Sequence, residues 1–326
     1  MLASRLKSPS PGGSLASPTN GPISVDPVRD VQAFWDTEAC GSHFVEEKRG
    51  SREFYERYRQ FRYRVEWHIP LLVPFAETRD KKVLEIGCGN GADGVLFAQA
   101  GADYTGVDLT EAAIEATRKH FQAVAAPGRF QIENAESLSF PNESFDFVYS
   151  YGVLHHTANP SQAFGEVLRV LKPGGNAVLM LYHKNSFNYY VRILTYMRLR
   201  VLARILGRLG RFSTDRSRLS AELKGIRGNR DPSVWQLHYE NFLRRGWPYL
   251  QAKNFVHHAT DGPECPFAFV YTRRQVRQAF RGFSRIQTAV AHFPLRKYSF
   301  GNWIPRRVEQ QIASLVGWYL FVYLTK

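Results

Sequence analysis

From Lys82 onward, short apolar runs alternate with amphipathic stretches of helical period, and this alternation restricts the possible folds more than any other feature. The runs cover residues 83–86, 104–107, 130–132, 145–149 and 177–181, with helical segments such as 111–121 and 161–171 between them. Strands joined through helices lie parallel in one sheet that carries helices on both faces. Lys172-Pro173-Gly174-Gly175 stops one helix and turns the chain into the fifth run. After Tyr182 the alternation breaks. It resumes with a helix over 273–280, a strand over 284–291 and a last strand over 318–324.

The segments outside this pattern differ in composition. Residues 1–26 are rich in Ser, Pro and Gly and bury too little to offset the entropy of ordering, so a disordered leader is expected. Between residues 27 and 80, aromatic and charged residues recur at helical spacing, and Phe54, Tyr58, Phe61 and Val65 fall on one helix face. Cys40, Cys88 and Cys265 are too scattered for a disulfide framework or a metal-ligand pair, which points to a reducing cytoplasm. No apolar run reaches the roughly 20 residues that span a bilayer.

The first strand runs into Glu85-Ile86-Gly87-Cys88-Gly89-Asn90-Gly91, which opens a helix. Glycines there permit a tight turn and a close backbone approach to a ligand. No Gly-Lys-Ser/Thr follows, which excludes a Walker-type phosphate loop. Glu85 beside the first glycine repels a pyrophosphate and attracts a cation. Asp108 ends the second strand about 20 residues on, where a carboxylate accepts hydrogen bonds from ribose hydroxyls. A nucleoside ligand follows from these features, and Asp108 alone suits NAD equally well.

Together these motifs resemble those of class I S-adenosylmethionine-dependent methyltransferases, specifically the type 11 group. Val83 to Gly91 is similar to the family's first motif and Gly106-Val107-Asp108-Leu109-Thr110 to its second. Asn134-Ala135-Glu136-Ser137-Leu138-Ser139-Phe140 resembles the adenine-flanking segment, with Asn where Asp is common. Phe145 to Ser150, Gly152-Val153-Leu154-His155-His156 and Arg169 to Gly175 resemble the fourth strand, the loop after it and the turn into the fifth. The resemblance implies an α/β, Rossmann-like seven-stranded sheet with helices on both faces, a helical N-terminal flank and a helical insert after strand five. It implies a cofactor-binding core over 81–183, flanked by 27–80, with a substrate-cap insert over 184–270 and completion of the sheet over 271–326. S-adenosylmethionine would be held by Glu85, Gly87, Cys88 and Gly89 at its methionine part and by Asp108 at the ribose. Leu109, Asn134, Ala135 and Glu136 would meet adenine, with Ser150 nearby. A short stretch from Phe34-Trp35-Asp36 to Cys40-Gly41 is similar to a flank in bacterial relatives with long inserts.

Methyl transfer needs an aligned nucleophile and an outlet for its proton. His155 and His156, after the fourth strand, and Tyr182, closing the fifth, stand where acceptor-facing groups belong; Tyr151 and His183 are further positions. No metal is expected: His257-His258 and Cys265 lack ligand spacing, and the loop from Asp261 to Pro266 reads as structural.

The chain carries 43 Lys and Arg against 29 Asp and Glu, a formal charge of +14. Part of this excess lies near residues 190–211, where Arg200, Arg204, Arg208 and Arg211 form one stripe and Leu194, Met197, Val201, Ile205 and Leu209 another. Arg216, Arg218, Lys224, Arg227 and Arg230 extend the charge. Such a helix suits a lid packed on the domain or a peripheral contact with an anionic membrane. Nucleic acid is disfavoured, because Tyr149-Ser150-Tyr151-Gly152 lacks both the Asn/Asp-Pro-Pro-aromatic signature and a Pro-Cys nucleophile. Methyl transfer to a small-molecule or lipid-like acceptor is the expected function. An NAD-linked oxidoreductase and a noncatalytic nucleoside-binding or membrane-associating module are the competing ones.

Overall fold

The computed structural model describes residues 26–37, 51–209, 234–293 and 303–326. The expected leader apart from Asp26, the Cys40-Gly41 pair, the cations from Arg211 to Arg230 and the side chains of Arg208 and Leu209 lie outside what is described.

Five strands run parallel in the order β3-β2-β1-β4-β5. They are β1 (Lys82–Ile86), β2 (Asp103–Asp108), β3 (Arg129–Ile132), β4 (Phe145–Tyr151) and β5 (Leu171–His183). Beside β5 lies β8 (Tyr319–Thr325), antiparallel, and β7 (Arg285–Ala291) pairs antiparallel with β8 at the far edge. An eighth strand, β6 (Val270–Tyr271), adds to the end of β5. Its two residues are too few to show a period in the sequence. The order reverses between β1 and β4, and a crevice opens beyond the carboxyl ends of strands at such a switch point.

Successive residues of a strand face opposite sides, and here both sides are buried. Val83, Phe147, Tyr149, Val178 and Met180 join one core; Leu84, Val148, Ala177, Leu179 and Leu181 join the other. That is why the strands read as continuous apolar runs. Helices α4 (Ala92–Gln99), α5 (Glu111–Ala123) and α6 (Pro160–Val170) follow β1, β2 and β4. Thr110 caps α5 by accepting from the Ala113 amide, and Asn159 caps α6, whose first residue is Pro160.

Among the described residues the α-helices before the sheet are α1 (Pro27–Thr37), α2 (Arg52–Val65) and α3 (Ile69–Leu72). The buried face of α2 differs from the expected one. Phe54, Tyr55 and Tyr58 are buried, whereas Phe61 is half-buried and Val65 exposed. The helix is rotated so that Arg62 reaches Asp93 at the start of α4.

After β5 a π-helix (Asn188–Met197) runs directly into α7 (Arg198–Leu209), followed by α8 (Val234–Arg245), α9 (Ala252–Ala259), α10 (Arg273–Ala279) and α11 (Arg306–Val316). Tyr189, Ile193, Met197, Val201 and Ile205 are buried against the first core. Ile193 therefore replaces the expected Leu194, which is half-buried. Arg200 is drawn off the expected free stripe, its guanidinium lying 4.2 Å from the centre of the Trp235 ring. Phe187, Val191, Leu199 and Leu206 form a second apolar line, and it is exposed. No helix among the described residues is long and apolar enough to cross a membrane.

Adjacent residues of α7 should respond oppositely to the same change. Ile205→Asp buries a charge without a partner and is expected to lower unfolding free energy by about 3–5 kcal/mol. Leu206→Asp, on the exposed line, is expected to stay within about 0.5 kcal/mol. Urea-unfolding midpoints followed by circular dichroism distinguish the two, and equal losses would contradict this packing.

Candidate active site

The turn after β1 is built for close approach. The Gly87 and Cys88 amides both donate to the carbonyl of Val107, at 2.8 and 3.0 Å, and dock the turn on β2. Gly87 sits at φ 80°, and a Cβ there would meet Val153 at 2.1 Å, so only glycine fits. Gly89, at φ 57°, has no atom within 4 Å of where its Cβ would be and leaves the wall of a cavity open. The cavity holds about 550 Å³ and lies at the carboxyl ends of β1, β2, β4 and β5.

Carboxyls crowd its inner end. Asp108 accepts from the Gly89 amide at 3.0 Å, and from the Thr110 amide and hydroxyl at 3.1 Å each. Burial pushes its pKa upward against those hydrogen bonds. Glu85 accepts from the Tyr104 hydroxyl at 2.5 Å. Burial first, and the nearby Asp93 charge second, push the Glu85 carboxyl well above the usual range, which favours the neutral acid. Asp93 accepts from Arg62 at 2.6 Å, from Tyr63 at 2.7 Å and from Tyr149 at 2.9 Å. Cys88 also lines the cavity; its thiol is pushed well up by burial and accepts from Thr117 at 3.5 Å.

Leu109, Asn134, Ala135 and Glu136 form the side wall. The Asn134 side chain accepts from the Glu136 amide at 2.9 Å, and Glu136 accepts from the Asn159 amide at 2.7 Å, which ties this wall to the start of α6. Ser150 is placed elsewhere. Its hydroxyl donates to the Ile86 carbonyl at 2.8 Å, is buried between β1 and β4, and does not reach the cavity.

The outer end is aromatic. Trp35, Tyr151, Tyr182 and Tyr319 line it together with Met180 and His156. His155 does not: it is fully buried, packs on the Tyr182 ring at 4.0 Å, and neither ring nitrogen has a partner among the described residues. Burial and the neighbouring His156 push its pKa well down. His183 is buried as well, with Nδ1 3.2 Å from the Gly317 carbonyl. His156 Nδ1 lies 2.6 Å from the Phe267 carbonyl, and its Nε2 is 3.5 Å from Asp261. Tyr182 donates to the same Asp261, at 2.9 and 3.1 Å to its two oxygens.

Ligand atoms of His156, Asp261 and Cys265 lie within 4.8 Å of one another, a grouping that the sequence spacing hides. Asp261 stands on the Nε2 side of the ring, whereas Cys265 is 3.9 Å from Nδ1, which Phe267 already engages. The two outer groups thus meet different nitrogens. Arg62, Glu66, Asp93, Asp261 and Tyr319 also line the cavity without having been singled out in the sequence. Only Asp93, in the first turn after the glycine loop, stood where a motif reading could have found it. The others reach the site from α2, β8 and the loop after α9.

Residues 84–179 match the model of a methyltransferase domain family. Over 131 residues the chain is 30% identical to a ubiquinone biosynthesis O-methyltransferase of Thiobacillus denitrificans, an alignment covering 38% of this chain and 56% of that protein. Over 99 residues it is 39% identical to a phthiotriol/phenolphthiotriol dimycocerosates methyltransferase of Mycobacterium leprae, covering 29% of this chain and 36% of that one. A solved structure of an S-adenosylmethionine-dependent methyltransferase from Methanosarcina mazei is 18% identical, with a TM-score of 0.47 and coverage of 78% of this chain and 98% of that one. The chain spans about half the length, or less, of these curated relatives. The matched stretch contains the glycine turn and the crevice where the strand order reverses, so over residues 84–179 the chain is similar to a methyltransferase domain.

Proposed function

We propose that the protein transfers the methyl group of S-adenosylmethionine to a small, lipid-like acceptor. One observation carries the reading: a single cavity is lined at one end by the glycine turn and Asp108, and at the other by Tyr151, Tyr182, Tyr319 and His156. The residues present fit the donor. The open wall at Gly89 gives it room, Asp108 stands at the end of β2 for ribose hydroxyls, and Leu109 and Ala135 supply apolar walls for adenine. When bound, S-adenosylmethionine supplies an electrophilic methyl group on a cationic sulfur. Glu85 and Asp93 favour positive charge at the inner end, while the aromatic outer end orients the acceptor and excludes water. An NAD-linked reaction would put a pyrophosphate against those same carboxyls, and the match over residues 84–179 favours neither that reading nor a noncatalytic module.

The relatives' names speak of ubiquinone biosynthesis and of dimycocerosates, which supports a lipid-like acceptor here. On this reading residues 184–270 cap the acceptor end, and the enzyme works in the cytoplasm at the membrane surface. From Lys184 to Leu209 there is no acidic residue, while Arg192 accompanies the exposed line of Phe187, Val191, Leu199 and Leu206. Cationic heads beside exposed apolar side chains suit an anionic bilayer, at about 1 kcal/mol per cation near the surface.

Three results are expected. Asp108→Ala weakens S-adenosylmethionine by about 1–3 kcal/mol in calorimetry, the scale of lost charge-assisted hydrogen bonds; tight NAD binding without binding of S-adenosylmethionine would end the proposal. Cation binding beside Glu85 favours its ionised form, so the complex releases a proton and affinity rises with pH until free Glu85 is ionised. Calorimetry in buffers of different ionisation enthalpy detects that proton, and Glu85→Gln abolishes it. Finally, vesicles of phosphatidylglycerol and phosphatidylcholine float the wild type, whereas an Arg192→Gln, Leu199→Asp, Leu206→Asp triple variant stays unbound; equal flotation would refute the membrane contact.

A further inference from the structure

We infer that His156, with Asp261 as its positioning partner, is the base that takes the acceptor's proton, and that the adjacent His155, packed against the Tyr182 ring, takes no part in it. This deepens the methyl-transfer reading and rests on it. The Phe267 carbonyl can only accept a hydrogen bond, so His156 Nδ1, 2.6 Å away, carries the ring proton. In the neutral ring the lone pair is then on Nε2. Nε2 has no hydrogen-bond donor among the described residues, although the side chain is almost wholly buried. It faces Asp261 at 3.5 Å, whose oxygens already receive the Tyr182 hydroxyl. Two acceptors facing each other in a cavity wall are matched by a ligand that brings an O–H.

The balance of the step is simple. The acceptor O–H bond breaks and its proton goes to Nε2; the oxygen's electron pair forms the new O–C bond, and the electrons of the broken S–C bond remain on sulfur. The resulting imidazolium lies beside the Asp261 carboxylate, which stabilises it. An imidazole best assists a hydroxyl more acidic than an alcohol's. A phenol, with a pKa of about 10, fits both that requirement and the walls of Trp35, Tyr151, Tyr182 and Tyr319. His155 lies outside the cavity and offers no nitrogen to it. The groups facing His156 are Asp261, Tyr182, His155 and Cys265, with His257 of α9 close enough to sense its charge. Among them Asp261 supplies the negative charge.

The test uses the full chain labelled with 15N-histidine. His156, assigned by its absence in His156→Gln, is expected as the Nδ1–H tautomer; an Nε2–H tautomer would overturn the inference without any acceptor present. Turnover is read with S-adenosylmethionine and a long-chain 4-alkylcatechol in mild detergent. His156→Gln should lower kcat about 10²–10⁴-fold while donor affinity in calorimetry stays within about twofold, and His155→Phe should retain kcat. Unchanged kcat in His156→Gln would refute the base. Wild-type turnover lost to a chelator and restored by zinc would also refute it, assigning His156, Asp261 and Cys265 to a metal. A wild type that binds no donor sinks the methyl-transfer reading instead, and the tautomer separates that failure from this one.

Discussion

The guanidinium of Arg62 grips the Asp93 carboxylate with two hydrogen bonds, Nη2 to Oδ2 at 2.6 Å and Nε to Oδ1 at 3.2 Å, and the shape of the site depends on that grip. Asp93 stands in the first turn of α4, directly behind the glycine turn, and also receives the hydroxyls of Tyr63 and Tyr149. Arg62 further pairs with Glu66 at 3.1 Å and lies 5.0 Å from the centre of the Tyr151 ring. Helices α2 and α4 and strand β4 are thereby fixed to one another at the floor of the cavity. Withdrawing such charges from water costs several kcal/mol per ion, and only a fully hydrogen-bonded arrangement offsets it. Asp93 meets that condition through three different side chains. The N-terminal flank is consequently part of the site.

This network gives the cavity two unlike ends. Behind Gly89, the carboxyls of Glu85, Asp93 and Asp108 share one buried region, and their mutual repulsion is relieved by Arg62 and by Glu85 taking up its proton more readily. Toward the outside, Glu66 accepts from Tyr151 at 3.0 Å and from Tyr319, so the aromatic hydroxyls are engaged and their rings present apolar faces. Helix α1 roofs both ends. Gln32 donates to the Leu109 carbonyl at 3.2 Å, and three residues on, Trp35 meets the His156 ring at 5.2 Å.

What the sequence revealed followed from local constraint. The inner strands β1, β4 and β5 are buried on both faces, so their apolar runs were visible without knowledge of their neighbours, and Gly87 was visible because Val153 leaves no room for a side chain. Asp108 was legible from its place at the end of the second strand, and the wall from Asn134 to Glu136 only from the resemblance to methyltransferases; both line the crevice. Features set by distant parts of the chain stayed hidden. Phe61 and Val65 share a helical period with Phe54, but the need of Asp93 for Arg62 turned α2 away from them. His155 and His156 are neighbours in sequence and opposite in environment, and the selection is made by Phe267 and Asp261, more than 100 residues on. Asp261, in a Gly- and Pro-containing segment, read as a turn; its role depends on Tyr182 and His156 meeting it in space.

The boundary of the family match follows the same division. Residues 84–179 contain the glycine turn, Asp108, the side wall and His156, but stop short of Tyr182, Asp261 and Tyr319. The matched part thus holds the glycine turn and the side wall, while the aromatic end combines Tyr151 and His156 of that part with Tyr182, Asp261 and Tyr319 from beyond it. The segment after α9 also completes the shared core. Phe269 donates its amide to the His155 carbonyl at 2.9 Å, Phe267 fixes the ring of His156, and Asn241 of α8 anchors the segment through the Pro263 carbonyl at 2.7 Å. An insert that only covered a finished pocket could be exchanged without touching the chemistry. Here the loop that brings Asp261 into the cavity wall also engages His156 through the Phe267 carbonyl, so a change in that loop alters the wall and the histidine together.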